Sequence, residues 1–161
     1  MIGSMRIIAG ADHAGFTLKD AVVRLLRERE HEVVDVGTGG PESVDYPEYA
    51  ARVGSAVAHG QADRGILFCS TGVGMSIAAN KIRGVRAALA SNADAVCLTR
   101  AHNDANVLAI GARYTDETTA AEYVNLFLDT PFDGGRHARR LEKVAAIEAE
   151  EAAGAGCPSG S

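Results

Sequence analysis

Hydrophobic positions along the chain follow two alternating rhythms. Short apolar runs of four to six residues occur at Met5–Gly10, Glu32–Val36, Gly65–Cys69, Val85–Ala90 and Val107–Ile110. Their β-branched content and their closure at glycine or a polar loop mark them as strands. Between the first two runs, Leu18, Ala21, Val22, Leu25 and Leu26 fall on one face of a helix over Phe16–Glu30. Further helices are predicted from Pro47 to about His59, then over Met75–Ile82, Ala93–Ala101, Thr115–Asp129 and His137–Glu151. Pro47 suits a first helical turn. Strands alternating with helices at this spacing imply βαβ units and an α/β fold, its five-stranded parallel sheet covered on both faces. Met1–Ser4 reads as an N-terminal extension and residues 5–153 as a single domain. Gly154–Ser161 (GAGCPSGS) reads as a disordered, linker-like tail in which Cys157 is incidental.

Composition narrows the function classes. The 161 residues suit one domain, and 47% hydrophobic with 23% charged content suits a globular core. A net charge of −5 with no basic block argues against nucleic-acid binding. No apolar run approaches the roughly 20 residues that span a bilayer, and no signal-peptide pattern opens the chain, so a cytoplasmic protein is expected. Cys69, Cys97 and Cys157 form no CxxC and have no histidine at ligand spacing, which argues against a disulfide framework or a structural zinc. The 18 glycines exceed the usual share of about 7%, which points to tight loops or close backbone approach.

Ligands of open parallel sheets bind beyond the carboxyl ends of the strands. Those ends carry Asp12-His13, Asp45, Cys69-Ser70-Thr71-Gly72-Val73-Gly74, Ser91-Asn92 and Gly111-Ala112-Arg113. In CSTGVG, two glycines let successive N–H groups converge at a helix start, a nest for an anion that would also favour a Cys69 thiolate. Cys69 as a small buried apolar residue explains the same position. Three phosphate motifs fail: Ile77 stands at the third place of a G-x-G-x-x-G, no Gly-Lys-Ser/Thr occurs, and Met75 stands where a cysteine phosphatase needs arginine. Arg136, His137, Arg139 and Arg140 form the one cationic cluster. Arg136 and Arg140 lie one helical turn apart, as a phosphate clamp or as a solvated face paired with acids such as Glu142. His102 and Asn103 fall at the amino end of the fifth strand, the edge opposite Cys69. A ten-residue helix is about 15 Å long, so His102 is either a bystander or part of a neighbouring subunit's site. His31 and His59 are expected at helix C-termini, where a cationic ring is favourable. Cys97 is expected in the core.

The blocks GADHAG (10–15), VDYP (44–47), GILFCSTGVGMSIAANK (65–81), RAHNDANVLAIGAR (100–113) and GGRHARR (134–140) resemble the ribose-5-phosphate isomerase B family, which also acts on galactose and allose 6-phosphates. The resemblance implies a three-layer α/β/α Rossmann-like sandwich and a homodimer, with a tetramer as the further option, whose active sites lie between subunits. It implies an aldose–ketose isomerase without metal or cofactor, acting on a phosphorylated sugar. Catalysis falls to Cys69 as base, His102 of the partner chain in ring opening, and Thr71 and Asp12. Asp12, Asp45 and Thr71 match positions around the sugar hydroxyls, with Tyr46 beside them and Asn103 accompanying His102. The backbone of Ser70, Thr71, Gly72, Val73 and Gly74 matches the enediolate cradle, and His13, Arg113, Arg136, His137 and Arg140 match positions near the phosphate. A subgroup uses serine at the Cys69 position and a glutamate base at the Met75 position; this chain has the cysteine form. Ribose 5-phosphate is the expected substrate. The same chemistry on a hexose or tetrose phosphate and, from another class, a noncatalytic nucleotide- or phosphate-binding module are the alternatives.

Overall fold

Five strands form one sheet in the order β2-β1-β3-β5-β4, with every neighbouring pair parallel, in the computed structural model, which describes residues 2–155. The strands are β1 (Arg6–Ala11), β2 (Glu32–Asp35), β3 (Arg64–Cys69), β4 (Ala87–Leu89) and β5 (Val107–Gly111). The helices are α1 (Phe16–Glu28), α2 (Tyr46–Ala58), α3 (Val73–Ala79), α4 (Ala93–Ala101), α5 (Glu117–Asp129) and α6 (Arg136–Gly154). No helix among the described residues is long and apolar enough to cross a membrane.

Two apolar clusters define the layers. Leu18, Val22 and Leu26 of α1, Val96 of α4 and Val124 and Phe127 of α5 pack on Ile66, Phe68, Leu108 and Ile110. Val53 and Val57 of α2 and Met75 and Ala79 of α3 pack on the opposite face with Leu67, Cys69 and Ala109. Successive β3 side chains thus enter opposite layers, as the strand period of two requires. The sandwich is three-layered and Rossmann-like, as expected. A buried cation joins α1 to β2: Lys19, 1% exposed, pairs with Asp35 at 2.6 Å and Asp20 at 2.8 Å.

Boundaries depart from the sequence pattern at four elements in particular. Helix α3 begins at Val73, before Met75, because Gly72 at φ +78° supplies a left-handed cap. Strand β4 loses Val85 and Arg86 from its predicted start: the Arg86 N–H donates to Asn106 Oδ1 and leaves the ladder. Helix α5 begins at Glu117, capped by Asp116, which accepts from the Thr119 N–H at 2.8 Å. Helix α6 runs through Gly154, which the sequence assigns to the tail; residues 156–161, with Cys157, lie outside the described residues.

Helix α6 differs from the others. Its only buried residue is His137, while Val144 (52% exposed) and Ile147 (61%) face outward. Between α6 and the body runs a groove of about 820 Å³ lined by Arg83, Arg86, Asn103, Leu141, Val144 and Ile147 among others. Glu148 spans it by accepting from the Gly84 N–H.

Candidate active site

The candidate residues sort onto two edges of the sheet. At the carboxyl edge, Asp12 follows β1, and its Oδ1 accepts from the Ala14 and Gly15 N–H groups at 2.9 and 3.1 Å, which orients the carboxyl at the start of α1. His13 Nδ1 accepts from the Val44 N–H at 3.2 Å, so in the neutral ring Nε2 carries the proton. This bond ties the loop bearing Asp45 to the first strand. Asp45 is the exposed N-cap of α2 and spends no side-chain hydrogen bond on the cap.

Cys69 closes β3 and is 5% exposed. Its Sγ accepts from the Gly72 N–H at 3.1 Å, so the glycine loop aims an amide dipole at the sulfur. The loop is pinned against the end of β5 by the Ala112 N–H to Cys69 O and the Arg113 N–H to Ser70 O, both 2.9 Å. Thr71 Oγ1 accepts from the Val73 N–H at 3.3 Å. Tyr46 lies over Gly74 so closely that a Cβ there would come within 2.7 Å of its ring. Met75 is fully buried beside Cys69 in the same apolar cluster.

The amino edge holds His102, Asn103, Arg136, His137 and Arg140. His102 caps the C-terminus of α4, and His137 lies in the first turn of α6. Their rings stack with centroids 4.1 Å apart and planes 9° from parallel. The Asp133 N–H donates to Ala101 O at 3.0 Å and fastens the start of α6 to the end of α4. Burial holds His137 below the ordinary imidazole value, and the charges of His102, Arg136 and Arg140 act the same way while Asp133 opposes them. Among the described residues Arg136, Arg139 and Arg140 form no ion pair, Glu142 included, which leaves them free for an anion.

His102, Asp133 and His137 also bring one ligand atom each within 4.8 Å of one another, as a metal centre would. A metal bound to an imidazole nitrogen lies near that ring's plane. Two nearly parallel stacked planes share no such point, so a metal would first have to break the stack. Asp133 carries no motif that would single it out in the sequence; its one signal is a loop position shortly before the GGRH run.

The two edges are separated by the length of β5. Cys69 pairs with Gly111, while His102 precedes Val107, four rises or about 13 Å away along the strand. The chain therefore does not bring His102, Asn103, Arg136, His137 and Arg140 to its own Cys69, and it separates the expected phosphate positions His13 and Arg113 from the arginines of α6.

Two sequence expectations need correction. His31 is buried, accepts from the Met5 N–H at Nδ1, and is pushed below the ordinary histidine value by burial, so it is not a favourable cation at a helix end. Cys97 is half-buried on α4, outside both core clusters.

Comparison with known proteins decides the relationship. A family model described as Ribose/Galactose Isomerase matches residues 7–144, a stretch that contains all five sequence blocks. The chain belongs to the ribose/galactose isomerase family. Ribose-5-phosphate isomerase B of Escherichia coli (strain K12) is 49% identical over 89% of this chain and 96% of its own length. A solved ribose-5-phosphate isomerase B from Clostridium thermocellum superposes with a TM-score of 0.90 at 46% identity, covering 91% of this chain and 99% of that one. The enzyme from Mycoplasma genitalium, solved with bound ribulose-5-phosphate, has a TM-score of 0.86 at 39% identity over 89% and 96% of the two chains. Membership in this isomerase family makes the chain an aldose–ketose isomerase.

Proposed function

We propose that this isomerase interconverts ribose 5-phosphate and ribulose 5-phosphate through a cis-enediolate, with Cys69 as the base. The observation that carries the proposal is the Gly72 amide directed at Cys69 Sγ on the edge that also holds Asp12, His13, Asp45 and Arg113. Proton abstraction next to a carbonyl needs a base and a stabilised oxyanion. The Cys69 thiolate takes the proton from C2 of the opened aldose, and electron density moves onto the carbonyl oxygen at C1. As the hydroxyl proton passes from O2 to O1, the thiol returns its proton to C1 and the ketose forms. The backbone of Ser70–Gly74 faces the enediolate. Asp12 retains Oδ2 for a sugar hydroxyl, with Thr71, Asp45 and Tyr46 around it. Met75 offers no proton-accepting atom, which supports the cysteine route over a glutamate base.

His102 opens the sugar ring in the site of a second copy, accompanied by Asn103. Arg136, His137 and Arg140 join His13 and Arg113 around the phosphate. A homodimer is supported by two uncovered apolar surfaces on one chain. One consists of Val73 and Ile77 on α3 with Leu89 on β4; the other is the α6 groove edged by Val144 and Ile147. Seating the first in the second of a partner copy would carry each His102 toward the other chain's Cys69. The reduced thiol this chemistry needs fits a cytoplasmic enzyme.

The family description, which names both ribose and galactose isomerases, keeps a hexose phosphate as the second reading. A kinetic panel of phosphorylated aldotetroses, aldopentoses and aldohexoses separates them. The highest kcat/KM is expected for ribose 5-phosphate, and a preference for a hexose phosphate would reassign the substrate.

A further inference from the structure

The turn that carries His102 and Asn103 is secured by the residue that follows them. Asp104 follows them at φ +44°, a left-handed conformation uncommon for a residue other than glycine. Its N–H donates to Arg100 O at 3.1 Å and the Ala105 N–H to Thr99 O at 3.0 Å, which folds the backbone over the end of α4. The carboxylate is shared between two elements. Oδ1 accepts from Arg100 Nη1 at 2.7 Å, and Oδ2 accepts from Arg86 Nη2 at 3.3 Å. Arg86 Nε also donates to Asp104 O at 2.9 Å, and Arg100 Nη1 to Ala105 O at 2.6 Å.

Arg100 is 4% exposed, lies against the Phe127 ring, and has no partner for Nε among the described residues. Arg64 stands near enough that burial and the Arg100 charge together hold its guanidinium below its ordinary value. Asp104 is the carboxylate shared by this group, since Asp63 pairs with Arg6. Glycine would relieve the left-handed backbone, yet only an anion can neutralise Arg86 and Arg100 from this position.

We propose that Asp104 is a positioning residue for ring opening: clamped between Arg86 and Arg100, it fixes the turn that presents His102 and Asn103 to the sugar. The proposal rests on the reading of His102 as the ring-opening group. Asp104→Asn keeps the size and tolerates the left-handed backbone but removes the charge, and Asp104→Gly keeps the backbone if the asparagine variant does not fold. Two quantities are read in each variant: kcat/KM for ribose 5-phosphate, which must be opened, and the inhibition constant of an acyclic phosphorylated hydroxamate shaped like the enediolate, which need not be. The expected result is a fall of about 10- to 100-fold in kcat/KM, with the hydroxamate constant changed less than about threefold. Unchanged kcat/KM overturns the proposal, and so does a parallel loss of both, which would mark a merely structural ion pair. His102→Asn is run alongside. If that variant shows the split and Asp104→Asn does not, Asp104 alone fails. If His102→Asn retains full kcat/KM, the ring-opening reading fails and the positioning role falls with it.

Discussion

The imidazoles of His102 and His137 lie face to face, 4.1 Å between centroids, beside Arg136 and Arg140. Burial, and after it the neighbouring charges of His102, Arg136 and Arg140, hold His137 below the ordinary value of 6.5. The unfolded chain then binds the proton first as pH falls. Stability is fully present above about 6.5 and declines as pH drops toward the lowered folded value. Buried His31 acts in the same sense. On the proposed reading, in which His137 lies beside the substrate phosphate, the dianion reverses this preference, so binding of ribose 5-phosphate is expected to take up protons in this window. Titration calorimetry in two buffers of different ionisation heat measures the uptake, which is expected to shrink in His137→Gln. Equal uptake in both proteins would dissociate the stack from the phosphate.

Removing the sulfur separates chemistry from binding. Cys69→Ala is expected to lower kcat by about 100-fold or more, the scale of a lost general base, while a phosphorylated enediolate mimic still binds. Substantial residual turnover would remove Cys69 from the role of base.

The opposite-edge placement of Cys69 and His102 gives a test by mixing. Cys69→Ala and His102→Ala chains are each expected to be inactive. Exchanged into mixed dimers, they recover one complete site per dimer and partial activity. Verified mixed dimers without activity would show that the two side chains do not share a site.

Gly72 joins the sulfur to the sheet. At φ +78° a side chain is strained, and its Cβ would come within 2.6 Å of Leu89 and 3.0 Å of the Gly111 N–H nitrogen. Gly72→Ala is therefore expected to cost about 1–3 kcal/mol in stability and to depress kcat more than the affinity for the phosphate. Chemical denaturation and steady-state kinetics on one preparation check both.

Lys19 tests the fold away from the site. Its 1% exposed ammonium is matched by Asp35, which is 27% exposed and also accepts from the Gly37 N–H. Lys19→Ala strands a partly wetted carboxylate, and the expected loss is about 2–3 kcal/mol, below the figure for a fully buried pair. Unaltered unfolding would mean that Asp35 is satisfied by water.

The apolar runs located the five strands because doubly buried strands such as GILFC and VLAIG are continuous in sequence and in space. The same reading missed the start of β4, since Val85 and Arg86 are apolar or extended locally while Asn106, twenty residues on, claims the Arg86 amide. The glycine loop and its cysteine were legible because they are contiguous. Asp104 was not: Arg100 lies one helical turn before it, but Arg86 comes from the segment before β4, and nothing local distinguishes a clamp from a solvated charge. His31 misled for a related reason, because a helix end can face solvent or the core and sequence does not say which. Helix α6 is the plainest case, an amphipathic pattern whose apolar side finds little to cover on its own chain.

The spacing of Cys69 and His102 makes concentration a catalytic variable. On the reading proposed here, a lone chain holds the base and the ring opener as two half-sites, neither of which completes a turnover. Specific activity should then fall on dilution below the dimer dissociation constant and be restored by substrate, whose phosphate and sugar groups each contact both chains and so act as a tether between them.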